Sequence, residues 1–311
     1  MRAGIIGVGE MGQNHARVYH EINGVELVGI ADINKERVNQ VAKAYNTIPY
    51  TDHIELLKQD LDIVSIVVPT TLHKTIALDA IKYKTNLFIE KPIADTIENA
   101  NAIIEAANSA GLKLMIGHIE RFNPAVRTLK KFIENETLGK IVSISARRVG
   151  PFNPRIRDVG IIMDLGVHDI DVISYLYNQK VSKVYAVAGN GRHLFEDRAS
   201  ILMQFEKDRA GMIETNWFTP HKIRKLTAVG MDGVAYLDYI NQTLELYNDK
   251  GMLKPNIEYK EPLRQELEHF IEVVYKDKQP LVTGEDGIHA LQVAICAIES
   301  YKYGRNIEVK L

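Results

Sequence analysis

The sequence is poor in several features that would point to other classes of protein. Among its 311 residues there is one cysteine, Cys296, so no internal disulfide can form and a reducing compartment is indicated. The formal net charge is only −2, which argues against a nucleic-acid partner. No apolar run approaches the roughly 20 residues that span a membrane, and the first strand pattern begins too early to leave room for a signal peptide. We expect a soluble cytoplasmic protein with no membrane partner.

Two catalytic motifs are also missing, and so is any internal repeat. The sequence has no G-x-S-x-G nucleophile elbow, which disfavours hydrolysis through a serine. It has no G-x-x-x-x-G-K-[ST] phosphate loop, which disfavours nucleotide hydrolysis. The length nevertheless exceeds that of one ordinary domain, and the 46% hydrophobic content is ample for sizeable cores. Two domains are therefore expected.

The N-terminal stretch carries the strongest pattern. An apolar run leads into Gly7, Gly9 and Gly12 with the spacing G-x-G-x-x-G, an amphipathic segment follows, and a second apolar run ends at Asp32. Gly7 allows a tight turn, Gly9 removes a side chain where a pyrophosphate must approach, and Gly12 lets helix and strand pack closely. The carboxylate of Asp32 would accept from a ribose hydroxyl and repel the 2′-phosphate of NADP, and no arginine follows it immediately. We predict an NAD site.

The pattern of strands and helices predicts the fold class. Alternating strand and helix signals up to residue 119 predict an α/β unit with a doubly wound parallel sheet of the Rossmann type. From residue 120 the rhythm changes to a helix, a long strand, a helix over 161–177 and several short strands joined by tight turns. This order predicts a large, mainly antiparallel open sheet with helices on one face. We predict a Rossmann domain, 1–119, and a C-terminal α+β domain, 120–311.

Lys91 is the first candidate for chemistry. It lies in Glu90-Lys91-Pro92, directly after a predicted strand, at the edge of the sheet where doubly wound folds bind ligands. Pro92 fixes the turn. A lysine at this place can polarise a substrate hydroxyl or help to move its proton. The alternative is a surface lysine on a loop, since lysines are mostly exposed.

A second candidate group lies on the helix over 161–177. Asp164, His168 and Asp171 have the spacing i, i+4 and i+7, which predicts that they share one face. Apolar residues between them indicate burial, which is costly for such side chains unless they are paired or used. Acid/base chemistry by His168 is one interpretation, and a structural hydrogen-bonded trio is another. A metal site is disfavoured because no second histidine or cysteine accompanies them.

Taken together, three motifs resemble the Gfo/Idh/MocA family of sugar and cyclitol oxidoreductases. They are the glycine turn GVGEMG, the Glu90-Lys91-Pro92 turn and the segment DLGVH, 164–168. The resemblance covers nearly the whole chain. It implies an NAD-dependent oxidoreductase with Lys91, Asp164 and His168 as the catalytic residues. It also implies a C-terminal domain that binds the substrate and pairs with other subunits, so a homodimer or homotetramer is expected.

The favoured mechanism assigns a role to each of these groups. His168 would take the hydroxyl proton, Lys91 would orient and polarise that oxygen, and Asp164 would tune the histidine or hold a sugar hydroxyl. The residues expected at the cofactor lie in the glycine turn, after the second strand and after two later strands. They are Gly7, Val8, Gly9, Glu10, Met11, Gly12, Asp32, Pro69, Thr70, His73, Glu90 and Lys91.

The segment from Gly117 to Pro124 further resembles the members of this family that oxidise UDP-N-acetylglucosamine at C3. Four arginines precede the 161–177 helix and can meet a diphosphate through paired N–H donors. They are Arg147, Arg148, Arg155 and Arg157. We expect Arg155 and Arg157 to bind the substrate together with Lys91, Asp164 and His168. The alternative is that these arginines decorate a solvated loop.

The expected function is therefore oxidation of a nucleotide sugar, UDP-N-acetylglucosamine at C3, to the 3-keto sugar. One alternative keeps the fold and changes the substrate to a free sugar, an inositol or a UDP-uronic acid. A second is an NAD-using glycosidase with no net redox change. A third is a ligand-sensing NAD-binding protein without turnover. The combination of Lys91, Asp164 and His168 argues against the sensor, which has no need of an acid/base set.

Overall fold

The first structural unit is built on a six-stranded sheet. The structure is a computed structural model that describes residues 1–152, 154 and 159–310. The strands are β1 (Arg2–Ile6), β2 (Glu26–Ala31), β3 (Ile48–Tyr50), β4 (Ile63–Ile66), β5 (Asn86–Glu90) and β6 (Leu114–Gly117). They lie in the order β3-β2-β1-β4-β5-β6, and neighbouring strands run parallel. The strand order switches direction beside β1, so the predicted Rossmann sheet is confirmed.

Helices connect these strands and cover the sheet. They are α1 (Glu10–Glu21), α2 (Lys35–Tyr45), α3 (His53–Leu57), α4 (His73–Lys82) and α5 (Ile97–Ser109). Side chains of the preceding loops start several of them. Asn34 accepts from the Arg37 N–H at the start of α2, and Thr96 accepts from the Asn99 N–H at the start of α5. Such caps satisfy backbone donors that have no partner inside the helix.

The described part of the second unit contains a nine-stranded mixed sheet. The elements are α6 (Pro124–Glu134), β7 (Ile141–Pro151), α7 (Val167–Tyr177), β8 (Lys183–Gly189), β9 (Arg198–Gln204), β10 (Ala210–Asn216), β11 (Phe218–Gly230), β12 (Gly233–Asp238), β13 (Thr243–Asn248) and β14 (Gly251–Leu253). With β15 (Ile307–Glu308), the strand order is β14-β13-β12-β11-β7-β10-β9-β8-β15. β7 and β10 run parallel and the other described pairs run antiparallel, which confirms the predicted sheet.

One face of this sheet carries the core, and the other face is open. Along β9, Ala199, Ile201 and Met203 are buried and alternate with exposed residues such as Leu202. This alternation is expected because successive side chains of a strand point to opposite faces. Apolar side chains of α6 and α7 join the buried set in a single core. The short edge strands β14 and β15 were not predicted.

The last two helices are divided between the units. They are α8 (Pro262–Tyr275) and α9 (Gly284–Tyr303). The first unit comprises 1–119 and 261–288, and the second comprises 120–260 and 289–311. In the first unit, Phe270 of α8 packs edge-on against Phe88 of β5, with ring centroids 5.8 Å apart. The sequence pattern had assigned α8 to the second domain, because an amphipathic helix does not reveal which sheet it covers. Within the described residues, no helix has the length and apolar character to cross a membrane.

Two buried ion pairs hold α7 in the second unit. Arg121 donates to Asp171 from Nε at 2.9 Å and from Nη2 at 2.6 Å. Arg148 donates to Asp169 from Nε at 2.8 Å and from Nη2 at 3.1 Å. All four side chains are at most 6% exposed. Asp171 is therefore held in the core by an arginine, whereas the helical spacing had grouped it with His168.

We expect Arg121→Met to lower the free energy of unfolding by about 3–5 kcal/mol, because it leaves the Asp171 carboxylate buried without compensation. Lys276→Met is the matched control. Lys276 pairs with Glu272 at 2.9 Å, and the side chains are 52% and 44% exposed, so its loss should cost about 0–1 kcal/mol. Urea denaturation curves of both variants measure the difference. Equal stability of the two variants would contradict the structural role of Arg121.

Candidate active site

The turn between β1 and α1 requires its glycines. Gly7 has a φ of +90°, and a Cβ there would collide with the carbonyl oxygen of Val67. A Cβ at Gly12 would collide with the carbonyl oxygen of Gly7. A Cβ at Gly9 would meet no described atom within 4 Å, so Gly9 borders open space. The first turn of α1 (residues 10–12) follows without a side-chain cap from any described residue, as in helix starts that bind a pyrophosphate.

Asp32 lies beside this turn, just after β2. Its Oδ2 accepts from the Val8 N–H at 3.0 Å, and its Oδ1 accepts from the Asn34 N–H at 2.8 Å. Nη1 of Arg37 also donates to Oδ2 at 3.3 Å. Arg37 was not predicted, because it lies five positions after Asp32 and not directly behind it. The carboxylate is therefore oriented by the backbone, as a ribose-binding acid must be.

A cleft of about 530 Å³ opens beside the glycine turn within the first unit. Four of the predicted cofactor residues line it: Gly7, Gly9, Asp32 and Pro69. Ile33, Leu72 and Arg37 line it too and were not predicted. Ile33 is 95% exposed and Leu72 is 45% exposed, so the cleft combines uncovered apolar surface with charge at a helix start. These residues fit a dinucleotide, whose base is apolar and whose phosphates are anionic.

Lys91 follows β5, as predicted, and the side chain of Glu90 holds the turn that carries it. The carboxylate of Glu90 accepts from the Lys91 N–H at 3.1 Å through Oε2. Its Oε1 lies 3.2 Å from Nε2 of the fully buried His15 on α1. Nδ1 of His15 lies 3.2 Å from Oγ of Ser65 on β4. Glu90 thus orients the turn that carries Lys91, and contact with the cofactor stays a prediction.

His73 joins two loops at the same edge of the sheet. It is 1% exposed, with Nδ1 lying 3.0 Å from the Pro92 carbonyl oxygen and Nε2 lying 2.9 Å from that of Val68. Burial lowers the pKa of His73 despite these carbonyl contacts. His73 was predicted, with Pro69 and Thr70, to line the approach of the nicotinamide. Its ring nitrogens face backbone carbonyls, so the visible role is to hold the loops after β4 and β5 together.

Asp164 and His168 lie on one helical stretch of the second unit, whereas Lys91 belongs to the first unit. The stretch begins with a π-helical turn, Ile162–Gly166, and continues as α7. Turns of this kind are frequent at functional sites. Asp164 and His168 are half-buried, while the neighbouring Asp169 lies in the core. The structure thus keeps the two candidate catalytic side chains of this helix partly accessible.

Glu196 holds the start of this stretch and was not predicted. Its carbonyl oxygen accepts from the Ile161 N–H at 2.9 Å, and its Oε1 accepts from the Ile162 N–H at 3.3 Å. A Cβ at Gly160 would collide with this carboxylate, so a side chain there would displace the Glu196 carboxylate from its contact with Ile162. Burial raises the pKa of Glu196. No local signal reveals this contact, because Glu196 is distant in the sequence.

The structure corrects the assignment of the arginines. Arg148 is in the buried ion pairs described above and has no surface for a diphosphate. Arg147 is the preceding residue on β7, so it points to the open face of the sheet. Arg155 and Arg157 lie outside the described residues. The adjacent residues Arg147 and Arg148 therefore have different surroundings, and their position in the sequence alone does not show which of them is buried.

The chain belongs to the Gfo/Idh/MocA family of oxidoreductases. Residues 1–118 match its NAD-binding Rossmann fold, and residues 130–311 match its C-terminal alpha/beta domain. The protein is therefore an NAD-dependent oxidoreductase, as the resemblance implied.

Several relatives match over nearly the full length. UDP-N-acetylglucosamine 3-dehydrogenase of Acidithiobacillus ferrooxidans is 29% identical over 97% of this chain and 98% of its own, and its solved structure superposes with a TM-score of 0.91. The scyllo-inositol 2-dehydrogenase (NAD(+)) of Bacillus subtilis is 27% identical over 99% of this chain and 96% of its own. The myo-inositol 2-dehydrogenase of Thermotoga maritima is 25% identical over 100% and 99%.

We expect the protein to bind NAD more tightly than NADP, because the Asp32 carboxylate repels a 2′-phosphate. Asp32→Ala should reduce the difference between the affinities for NAD and NADP, since it removes the repulsion and leaves the Arg37 guanidinium to bind the 2′-phosphate. Calorimetry with both cofactors measures the change. In the double variant with Arg37→Ala, the gain in NADP affinity should fall by roughly ten- to a hundred-fold, the value of a charge-assisted contact. Tighter binding of NADP by the unmodified protein would overturn the assignment.

Proposed function

We propose that this protein oxidises a secondary hydroxyl of a nucleotide sugar, and that the substrate is UDP-N-acetylglucosamine, converted at C3 to the 3-keto sugar. The observation that carries the choice of substrate is the 29% identity over 97% of the chain to a UDP-N-acetylglucosamine 3-dehydrogenase. The reaction type is supported by the cofactor cleft and by the partly accessible Asp164 and His168.

The segment from Gly117 to Pro124, which resembles this subgroup, supports the proposal because its side chains help to hold the second unit together. Glu120 and Arg121 form buried ion pairs within the second unit. Asn123 caps α6 by accepting from the Ala125 N–H at 3.0 Å. The ion pairs hold α7, the helix that continues the candidate catalytic stretch: Arg121 binds Asp171 directly, and Glu120 acts through Arg148, which binds Asp169. The resemblance of this segment therefore concerns the contacts that hold α7. It does not identify a residue that would contact the uridine.

The proposed mechanism assigns a separate role to each of three side chains. His168 takes the proton of the substrate hydroxyl at an imidazole nitrogen, which is the role of a general base near neutral pH. Lys91 polarises the same oxygen, and Asp164 orients the histidine or holds a sugar hydroxyl. Bound NAD supplies the hydride acceptor. Arg155 and Arg157 are proposed to contact the diphosphate of the substrate.

The relatives also favour a second candidate, the oxidation of a free inositol. Two inositol dehydrogenases match the chain over nearly its full length at 27% and 25% identity, close to the value for the UDP-sugar enzyme. An inositol has no charged group, so it needs no arginine for recognition. The two candidates therefore differ in whether the protein binds a phosphate on its substrate.

A panel experiment separates these candidates. The protein is incubated with NAD and a set of UDP-sugars, free sugars and inositols, and the products are measured by mass spectrometry. We expect a product lighter by two hydrogen atoms from UDP-N-acetylglucosamine. Oxidation of an inositol with no turnover of any UDP-sugar would reject the proposed substrate. Turnover of none of the compounds would favour a sensor.

Variants in the same assay test the catalytic roles. Lys91→Met and His168→Ala should each lower turnover by roughly 10² or more, the scale for losing a positioned acid/base group. Their affinity for NAD should change little, because neither side chain lies in the pyrophosphate turn. Lys58→Met, at an exposed lysine of the same unit, is the control. Nearly normal turnover in both variants would remove the proposed mechanism.

We further infer that the open face of the second sheet pairs with a second copy of the chain. Tyr185, Leu202 and Met212 are direct neighbours across β8, β9 and β10, and each is 41–48% exposed. Val187, on the same strand as Tyr185, is 59% exposed. Exposed apolar side chains that neighbour one another form a patch of the kind that protein interfaces cover. The same patch on a second copy can meet it across a twofold axis, which suits a symmetric homodimer.

Light scattering tests this interface. We expect the unmodified protein to have at least twice the chain mass of 35.1 kDa, and Leu202→Glu to shift it towards the monomer, because a charge would be buried at the interface. Met231→Glu is the matched control, since Met231 is 72% exposed in the turn before β12, outside this row. A monomeric unmodified protein at micromolar concentration would disprove the inference.

A further inference from the structure

Arg224 is a cation on β11 whose position is set by the strand next to it. In the antiparallel pairing of β11 with β7, Arg224 lies directly opposite Arg148. Its carbonyl oxygen accepts from the Tyr239 N–H at 3.0 Å, which fixes its backbone. Directly opposite residues of such a pair point to the same face of the sheet. Arg224 therefore points to the helix-covered face, like Arg148.

The carboxylates on this face are already engaged by other donors. Arg148 donates to Oε1 of Glu120 and to both oxygens of Asp169 at 2.8–3.1 Å. Asn123 donates to Oε2 of Glu120 at 3.4 Å, and the Tyr239 hydroxyl donates to Oδ1 of Asp169 at 3.2 Å. Each of the four carboxylate oxygens thus has a donor in place. The buried network is complete without a second guanidinium.

Arg224 is left outside this network. Its guanidinium makes no hydrogen bond or ion pair with any residue that the structure describes, although the side chain is half-buried. Burial and the charge of Arg148 lower the pKa of Arg224, and the charges of Glu120, Asp169 and Asp164 act in the opposite direction. The guanidinium nitrogens remain accessible at the surface, so an anion beside them can accept charge-assisted hydrogen bonds.

The helical stretch beside Arg148 indicates where that anion would lie. Arg148, directly opposite Arg224, binds Asp169 on α7, next to His168. Asp164 is half-buried on the π-helical turn that precedes α7 and is one of the proposed catalytic residues, and its charge raises the pKa of Arg224. The anion beside Arg224 is thus near the group that would contact the sugar. A nucleotide sugar carries a diphosphate next to its sugar ring, and a planar guanidinium can bind a phosphate through two parallel N–H donors.

We propose that Arg224 binds a phosphate of the substrate and so selects a nucleotide sugar over an uncharged sugar or inositol. This inference rests on the proposed function and deepens it. Arg224 takes the role that the sequence pattern gave to Arg147 and Arg148, both of which have other partners.

Binding of UDP and of uridine to Arg224→Met tests the proposal. UDP carries the phosphates without the sugar, and uridine lacks the phosphates. We expect UDP affinity, measured by calorimetry in the presence of NAD, to fall roughly ten- to a hundred-fold, as for a lost charge-assisted contact. Uridine and NAD affinity should stay unchanged. Arg224→Lys should restore part of the UDP affinity, because the charge returns without the planar fork.

Lys225→Met is the matched control. Lys225 is the next residue on β11, is exposed and lines the open face, so its removal changes the net charge equally without touching the proposed site. It should leave UDP affinity unchanged. Thermal melting curves of all variants check that each is folded, and the steady-state kinetics should show a raised KM for UDP-N-acetylglucosamine in Arg224→Met.

The outcomes distinguish this inference from the proposed function. If the unmodified protein oxidises UDP-N-acetylglucosamine and Arg224→Met binds UDP normally, the role of Arg224 is wrong and the proposed function stands. If Arg224→Met weakens uridine and UDP equally, or if Lys225→Met matches its effect, the phosphate contact is rejected. If the unmodified protein neither binds UDP nor oxidises any UDP-sugar, the proposed function fails and this inference fails with it.

Discussion

The buried ion pairs of the Arg148 guanidinium join several segments in the described part of the second unit. It binds Glu120, where the chain enters this unit, and Asp169 on α7. The carbonyl oxygen of Arg148 accepts from Thr215 Oγ1 on β10. Burial by itself would lower the pKa of Arg148, yet the two carboxylates hold that pKa well above its ordinary value. A charge buried so deeply is tolerated only with its partners in place, so these segments must assemble together. The position of the stretch that carries Asp164 and His168, the candidate catalytic residues, follows from that assembly.

The first unit depends on backbone approach more than on charge. The glycine turn brings the start of α1 so close to β1 that side chains at Gly7 and Gly12 have no space. In the same unit, the buried histidines His15 and His73 fix the turn that carries Lys91. His15 reaches this turn through the Glu90 carboxylate, and His73 reaches it through backbone carbonyls. The glycine turn and the turn that carries Lys91 are thus parts of one packed arrangement.

Much of this arrangement was predictable because it is local. The alternation of strands and helices up to residue 119, the G-x-G-x-x-G turn and the position of Lys91 after a strand follow from hydrophobic period and from the steric needs of glycine. The mainly antiparallel sheet of the second unit was predicted from short strands and tight turns for the same reason. Each signal lies within a few residues of the element that it specifies, so no distant partner is needed to read it.

The order of the elements, the glycine turn and the residue types at the candidate site are therefore specified by local patterns in the chain. Which charged residues hold the fold and which stay accessible depends on the folded arrangement. Asp171 pairs with Arg121, which is 50 positions away, while Asp164 on the same helical stretch stays half-buried. The pairing of α8 with the first sheet, and the contact of Arg37 with Asp32, were decided in the same way. The physical reason is that desolvation and ion pairing depend on neighbours in space, which chain spacing alone does not specify.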